Sequence, residues 1–259
     1  MPRFAANVTM LYRELPLLER FAAARADGFS AVEILSSEGT DIALLGTAAK
    51  SAGVDVVLCN APMGDFLEGG PGVSAVPGRE ADFQAAMGQA ITMAVTLSCP
   101  IVHLGPSRIP TNATKSSCLA TLVRNLEAAA ELCADHDISV TIEPMNRLDN
   151  VDVCLSTVAD ALLVLDEAGQ PNSGLQLDVY HVVRMGDDPL QHIKRHAARI
   201  RHIQFADVPG RQEPGSGELD FQRIFETIDN AGYEGYLGAE YLPSGMTSDS
   251  FSWFEGYRQ

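Results

Sequence analysis

Eight short apolar runs recur along this chain, each separated from the next by enough sequence for a helix. They cover residues 3–7, 31–35, 54–60, 100–104, 138–143, 174–178, 200–205 and 236–240. Several are continuously apolar instead of alternating, the pattern of strands buried on both faces of a parallel sheet. The intervening segments carry the helical period. Phe83, Ala86, Met87, Ala90, Ile91, Ala94 and Val95 fall on one face, and Leu119, Leu122, Val123, Leu126, Ala130 and Cys133 on another. Phe221, Ile224, Phe225 and Ile228 form a third such face, with Asp220 placed to cap it. Eight strand–helix units in 259 residues predict an α/β protein, a (β/α)8 or TIM barrel in a single domain over 1–259. A doubly wound open sheet is the competing architecture, but no glycine fingerprint follows the first run. No linker or low-complexity stretch divides the chain.

In the second half of the chain four polar residues each follow an apolar strand-like stretch: Glu143 after ISVTI, Asp178 after GLQL, Gln204 after IRHI and Glu240 after YLGA. Parallel strands joined by crossover helices point their C-terminal ends the same way, so three carboxylates and a carboxamide are expected at one mouth. Such a cluster requires a cation or shared protons. The four side chains are hard oxygen donors, which predicts a divalent metal site for Mg²⁺ or Mn²⁺ with carboxylates left for proton transfer. Two loops that follow strands, 61–78 and 206–219, are longer than packing requires and should cover that mouth.

Other residues group around the same place. His181, three positions past Asp178, should share the pocket. Arg211 in the second long loop can grip a carboxylate in bidentate fashion. Gly215 and Gly217 serve turn geometry. Asn60 and Asp65 flank the first long loop, as turn residues or as substrate contacts. His103 reads as a core or supporting histidine and Trp253, the single tryptophan, as packing.

A net charge of −16 opposes a polyanionic partner, because nucleic-acid binding draws on a basic surface. The five cysteines are scattered, without CxxC or Cys/His metal spacing, and read as reduced, buried thiols. The first residues lack a signal-peptide core, and no stretch approaches ~18 consecutive apolar residues. The expectation is a soluble, cytoplasmic chain with a small-molecule substrate, no nucleic acid and no membrane, and with a homo-oligomer left open.

The segments RFAANVTMLY, CNAPMGDF, VPGRE, IEPMNRLD, LQLDVYHVVRMGD, HIQFADVPGRQEPGSGELD and GAEY together resemble the hydroxypyruvate isomerase family, within the xylose isomerase-like barrels. The resemblance implies that Glu143 and Glu240 transfer protons, and that Glu143, Asp178, Gln204 and Glu240 hold a divalent ion. It implies an isomerase of carbohydrate acid and glyoxylate metabolism acting on a small hydroxy-carbonyl acid, with His181, Arg211 and Asn60 toward the substrate. Ketose 3-epimerases of related sequence carry His at the position of Gln204, and 2-oxo-tetronate isomerases share the motifs. Phe66 stands where the family commonly has Trp, a departure that concerns loop packing.

Overall fold

The computed structural model describes residues 1–37 and 39–257. Eight parallel strands close into a ring in chain order, each hydrogen-bonded to its sequence neighbours and the last to the first. They are β1 (Arg3–Asn7), β2 (Ala31–Ile34), β3 (Asp55–Asn60), β4 (Ile101–His103), β5 (Ser139–Ile142), β6 (Ser173–Asp178), β7 (Ile200–Phe205) and β8 (Tyr236–Ala239). The crossovers are α1 (Leu17–Ala26), α2 (Ile42–Ala52), α3 (Glu80–Leu97), α4 (Lys115–Ala134), α5 (Val158–Ala168), the pair α6 (Val179–Arg184) and α7 (Pro189–His196), and α8 (Phe221–Asn230). The single-domain barrel expected from the periodicity is the fold.

Local signals set the helix ends. Asp41 caps α2 and Thr157 caps α5, while left-handed Gly53 and Gly169 terminate them. Asp220 caps α8 by accepting from the Arg223 amide at 3.0 Å. The predicted inner faces of α4 and α8 pack as expected, with Leu119 only partly buried. On α3 the buried stripe turns toward Met93 and Leu97, leaving Val95 half exposed at 51 %. The ridge that meets the sheet is Phe83–Met87–Ala90–Ala94–Leu97, and Val95 lies off it.

One expected outer helix is missing among the described residues. After β8 the chain forms two 3₁₀ segments, Thr247–Ser250 and Ser252–Tyr257, where an eighth outer helix would lie. Aromatic packing fills the place instead. Phe4 meets Trp253 at 5.2 Å and Phe254 at 5.7 Å between ring centroids, and Phe205 meets Trp253 at 5.2 Å. Trp253 is a packing residue, as the sequence suggested.

Inside the ring the layers differ in chemistry. Ala5, Ala31 and Val57 make a small apolar floor. One step along each strand, with period two, polar side chains replace them: Asn7, Glu33, Thr141, Gln176, His202 and Gln204, all buried and hydrogen-bonded to one another. The acidic residues of the mouth sit directly above this layer in sequence register, at Glu143, Asp178 and Glu240.

Candidate active site

Each mouth residue is placed by its strand. Glu143 follows β5 and precedes Pro144, which cannot continue the ladder. Asp178 ends β6 and caps α6, its Oδ1 accepting from the Tyr180 amide at 2.8 Å. Gln204 lies opposite Asp178 in the β6–β7 register, and Glu240 follows β8 with its amide on the Phe205 carbonyl. All four are buried.

The side chains converge. Oxygens of Glu143 and Asp178 and a ring nitrogen of His181 lie within 4.8 Å of one another. Asp178 Oδ2 is 3.6 Å from His181 Nε2 and 3.5 Å from Arg211 Nη2. Arg211 Nη2 also donates to Glu240 Oε2 at 2.5 Å. Glu143 Oε2 is 3.8 Å from Nε2 of His103, while its Oε1 has no protein partner. The cation that the sequence demanded of this cluster is thus partly supplied by the chain, through Arg211.

Protons supply more of it. Burial, together with Glu240 and Asp178, pushes the Glu143 carboxyl well above the usual range. Burial raises Glu240 to about 8, against the pull of Arg211 and with the push of Asp178. Asp178 rises to about 6, again through burial with Arg211 opposing. Burial lowers His103 to about 3 and His181 well below its ordinary value, so both imidazoles are neutral near pH 7.

The tautomer of His181 follows from Asn146. Asn146 Oδ1 accepts from the Asp149 amide at 2.8 Å, and its Nδ2 donates to Asp149 Oδ2 at 3.0 Å. That amide orientation turns Nδ2 to His181 Nδ1 at 2.7 Å, making Nδ1 the acceptor. Nε2 then carries the proton and faces the mouth. His181 is a donor there, which suits a substrate oxygen better than a metal ion.

Arg211 reaches the mouth because its loop is pinned. The fully buried Asp207 carboxylate accepts from the amides of Val208, Gly215, Gly217 and Leu219 at 2.8–3.1 Å. Gly217 packs so closely that a Cβ would overlap the Val208 carbonyl, and Gly215 has φ +90°. Both glycines therefore serve turn geometry. Arg211 itself has φ +54°, a left-handed backbone. In the other long loop, Asp65 accepts from the Gly72 amide and from Arg79, holding the turn. Phe66 lies under the Arg108 guanidinium at 3.8 Å. Asn60 ends β3 beside His103 in register, buried, with Oδ1 lacking a protein partner.

The sequence reading missed Glu33, Asn146, Gln176, His202 and Asp207. A single polar residue inside an apolar run, as in AVEIL and GLQLD, was the available signal for two of them.

A closed parallel ring with a buried, convergent polar cluster at its strand C-termini is the build of a barrel enzyme. The chain belongs to the xylose isomerase-like TIM barrel family, which its residues 21–257 match, and it is an isomerase. It is 40% identical over 257 residues to a 2-oxo-tetronate isomerase of Cupriavidus necator, covering 99% of both chains. It is 35% identical over 258 residues to the hydroxypyruvate isomerase of Escherichia coli, covering 100% of both. A crystal structure of a Brucella melitensis protein described as AP endonuclease, family 2, superposes with a TM-score of 0.96 at 34% identity, covering 100% of both chains. No helix among the described residues is long and apolar enough to cross a membrane.

The raised carboxyls give the site a testable signature. A divalent ion bound here would displace their protons, so Mn²⁺ affinity should fall as pH drops through about 8 and fall further through about 6, where first Glu240 and then Asp178 take up protons. Calorimetry in buffers of different ionisation enthalpy should show protons released on binding. Affinity flat with pH and no proton release would refute these protonation states.

Proposed function

We propose that this protein is a divalent-metal-assisted aldose–ketose isomerase that converts hydroxypyruvate to tartronate semialdehyde. A 2-oxo-tetronate is the alternative substrate for the same site. The observation that carries the reading is the placement of two buried glutamates, Glu143 and Glu240, with Asp178 and one guanidinium at a barrel mouth. The names of the full-length relatives support the substrate class.

The residues fit a divalent cation. Glu143 Oε1 is buried with no protein partner, beside Asp178 and within reach of the Glu240 charge. The donors are oxygens of the kind Mg²⁺ and Mn²⁺ take, and Glu143, Asp178, Gln204 and Glu240 would hold the ion. When bound, such an ion supplies Lewis acidity toward the substrate carbonyl and hydroxyl oxygens and offsets charge that develops on them.

The chain's own groups account for the proton traffic. One glutamate takes a proton from C3 of hydroxypyruvate, leaving an enediolate across C2 and C3. The other returns a proton to C2, while the hydroxyl proton passes from O3 to O2, and the product is the isomeric aldehyde. In the metal-free site burial raises the Glu240 carboxyl to about 8, an environment that favours its taking up a proton. The Nε2–H of His181 donates to a substrate oxygen. Arg211 meets the substrate carboxylate and compensates its charge in an acidic site, and the free Oδ1 of Asn60 accepts from a hydroxyl.

Two other readings carry less support. A ketose 3-epimerase would use the same groups on a neutral sugar, which would leave Arg211 to pair with Asp178 and Glu240 alone. An abasic-site nuclease would require a basic surface, and the net charge is −16. The deciding assay is turnover of protein stripped with a chelator and reconstituted with Mn²⁺ or Mg²⁺. The expected result is metal-dependent turnover of hydroxypyruvate or 2-oxo-tetronates exceeding that of free ketoses. Turnover confined to neutral ketoses would move the assignment to the epimerase.

A further inference from the structure

Glu33 lies in β2 opposite Asn7, fully buried beneath the mouth, and the chemistry above does not use it. Its carboxylate is held from three sides. Asn7 Nδ2 donates to Oε2 at 3.0 Å, Gln204 Nε2 donates to Oε2 at 2.8 Å, and Nε2 of His202 contacts Oε1. A carboxylate only accepts, so every group that meets it must turn a donor inward. The Gln204 amide therefore sets its nitrogen against Glu33 and its oxygen on the other side. That oxygen accepts from Gln176 Nε2 at 2.7 Å, and Gln176 Oε1 accepts from Thr141 Oγ1 at 2.9 Å. Asn7 is fixed too, since its Oδ1 accepts from the Thr9 and Met10 amides at 3.2 Å. The donors thus run toward Glu33 from both sides, from the β1–α1 turn through Asn7 and from Thr141 through Gln176 and Gln204.

We infer that Glu33 is a positioning residue that locks the Gln204 carboxamide with its oxygen, and not its nitrogen, available to a divalent ion, with Gln176 holding the same amide from the far side. The inference rests on the reading of Gln204 as a metal ligand. An amide oxygen has two lone pairs, and Gln176 takes one, leaving the second for a cation. A flipped amide would present N–H groups to the ion and could not ligate it. The device is built into the strands: at Gly238, beside Gln204 in the β7–β8 register, any Cβ would overlap Glu33 Oε1.

The test is Mn²⁺ binding followed by electron paramagnetic resonance, with melting curves as a folding control. Wild-type protein is titrated first. If it binds no Mn²⁺, the metal-site reading itself fails before any variant is made. In Glu33→Gln the new amide can accept as well as donate, so Gln204 loses its orientation and affinity should fall about 10–100-fold, the usual cost of disturbing a ligand's supporting partners. Gln176→Glu separates orientation from charge. An added carboxylate alone would tighten cation binding, whereas placing an acceptor against the Gln204 oxygen should weaken it by a similar factor. The double variant Glu33→Gln/Gln204→Glu should regain most of the affinity, because a carboxylate needs no orienting and both neighbours can donate to it. If Glu33→Gln does not fold, Gln176→Glu and the double variant still decide. Mn²⁺ affinity in Gln176→Glu equal to or tighter than wild type, or no recovery in the double variant, overturns the inference.

Discussion

Replacing Glu240 by glutamine should lower turnover of hydroxypyruvate by about 10²–10⁴-fold, the range lost with a positioned acid or base. The substitution keeps an oxygen for a metal ion and keeps the side chain's length, so the mouth retains its shape. What it removes is the proton. In the metal-free site burial and the Asp178 charge bring this carboxyl to about 8 despite Arg211, surroundings that favour its taking up a proton. A glutamine in that place takes up none. Metal affinity should fall much less than kcat, because Glu143, Asp178 and Gln204 remain. The measurement is kcat at saturating Mn²⁺ and substrate, beside a separate Mn²⁺ titration. The pH dependence offers a second check: the limb of the wild-type profile that reports Glu240 should vanish in the variant. A kcat within a few fold of wild type would place the base elsewhere.

The parts of this molecule that could be read from sequence are those set by local repetition. Continuous apolar runs at regular spacing gave the ring, and polar residues closing those runs pointed to Glu143, Asp178 and Glu240, which gather around Arg211 and His181, and to Gln204, whose side chain bonds to Glu33 and Gln176 in the layer beneath. Contacts that depend on loop path were not legible. The link from Arg211 to Glu240 needs a left-handed backbone at Arg211 and four amides gathered on Asp207, neither of which has a periodic signature. Glu33 and Gln176 were hidden for a different reason. A lone polar residue in a strand looks the same whether it faces solvent or the interior, and only ring closure turns Glu33 toward Gln204 and His202. The missing outer helix was equally opaque, because FSWFEGY is rich enough in apolar residues to suit a helix or a set of packed 3₁₀ turns.

The interior network also makes one glycine far more costly to change than another. Gly238→Ala and Gly88→Ala add the same methyl group, yet their effects should have opposite signs. At Gly238 the new Cβ would overlap Glu33 Oε1 and stand 2.7 Å from Oε2. Glu33 cannot simply move aside, because Asn7, His202 and Gln204 all hold its carboxylate in a fully buried place. Overpacking costs about 1–3 kcal/mol and each buried group left unpaired about 1–3 kcal/mol more, so a loss of roughly 3 kcal/mol or above is expected. At roughly 2–4 °C per kcal/mol for a chain of this size, Tm should drop by about 6–12 °C. Gly88 lies on the exposed face of α3, and an added methyl would meet nothing within 4 Å. There alanine only restricts the unfolded chain and improves helix propensity, so stability should rise by about 0.5–1 kcal/mol. Calorimetric melting of both variants tests the pair. A Gly238→Ala protein that melts within a degree or so of wild type would mean that the Glu33 carboxylate is free to relocate, and the rigid interior layer beneath the mouth would have to be abandoned.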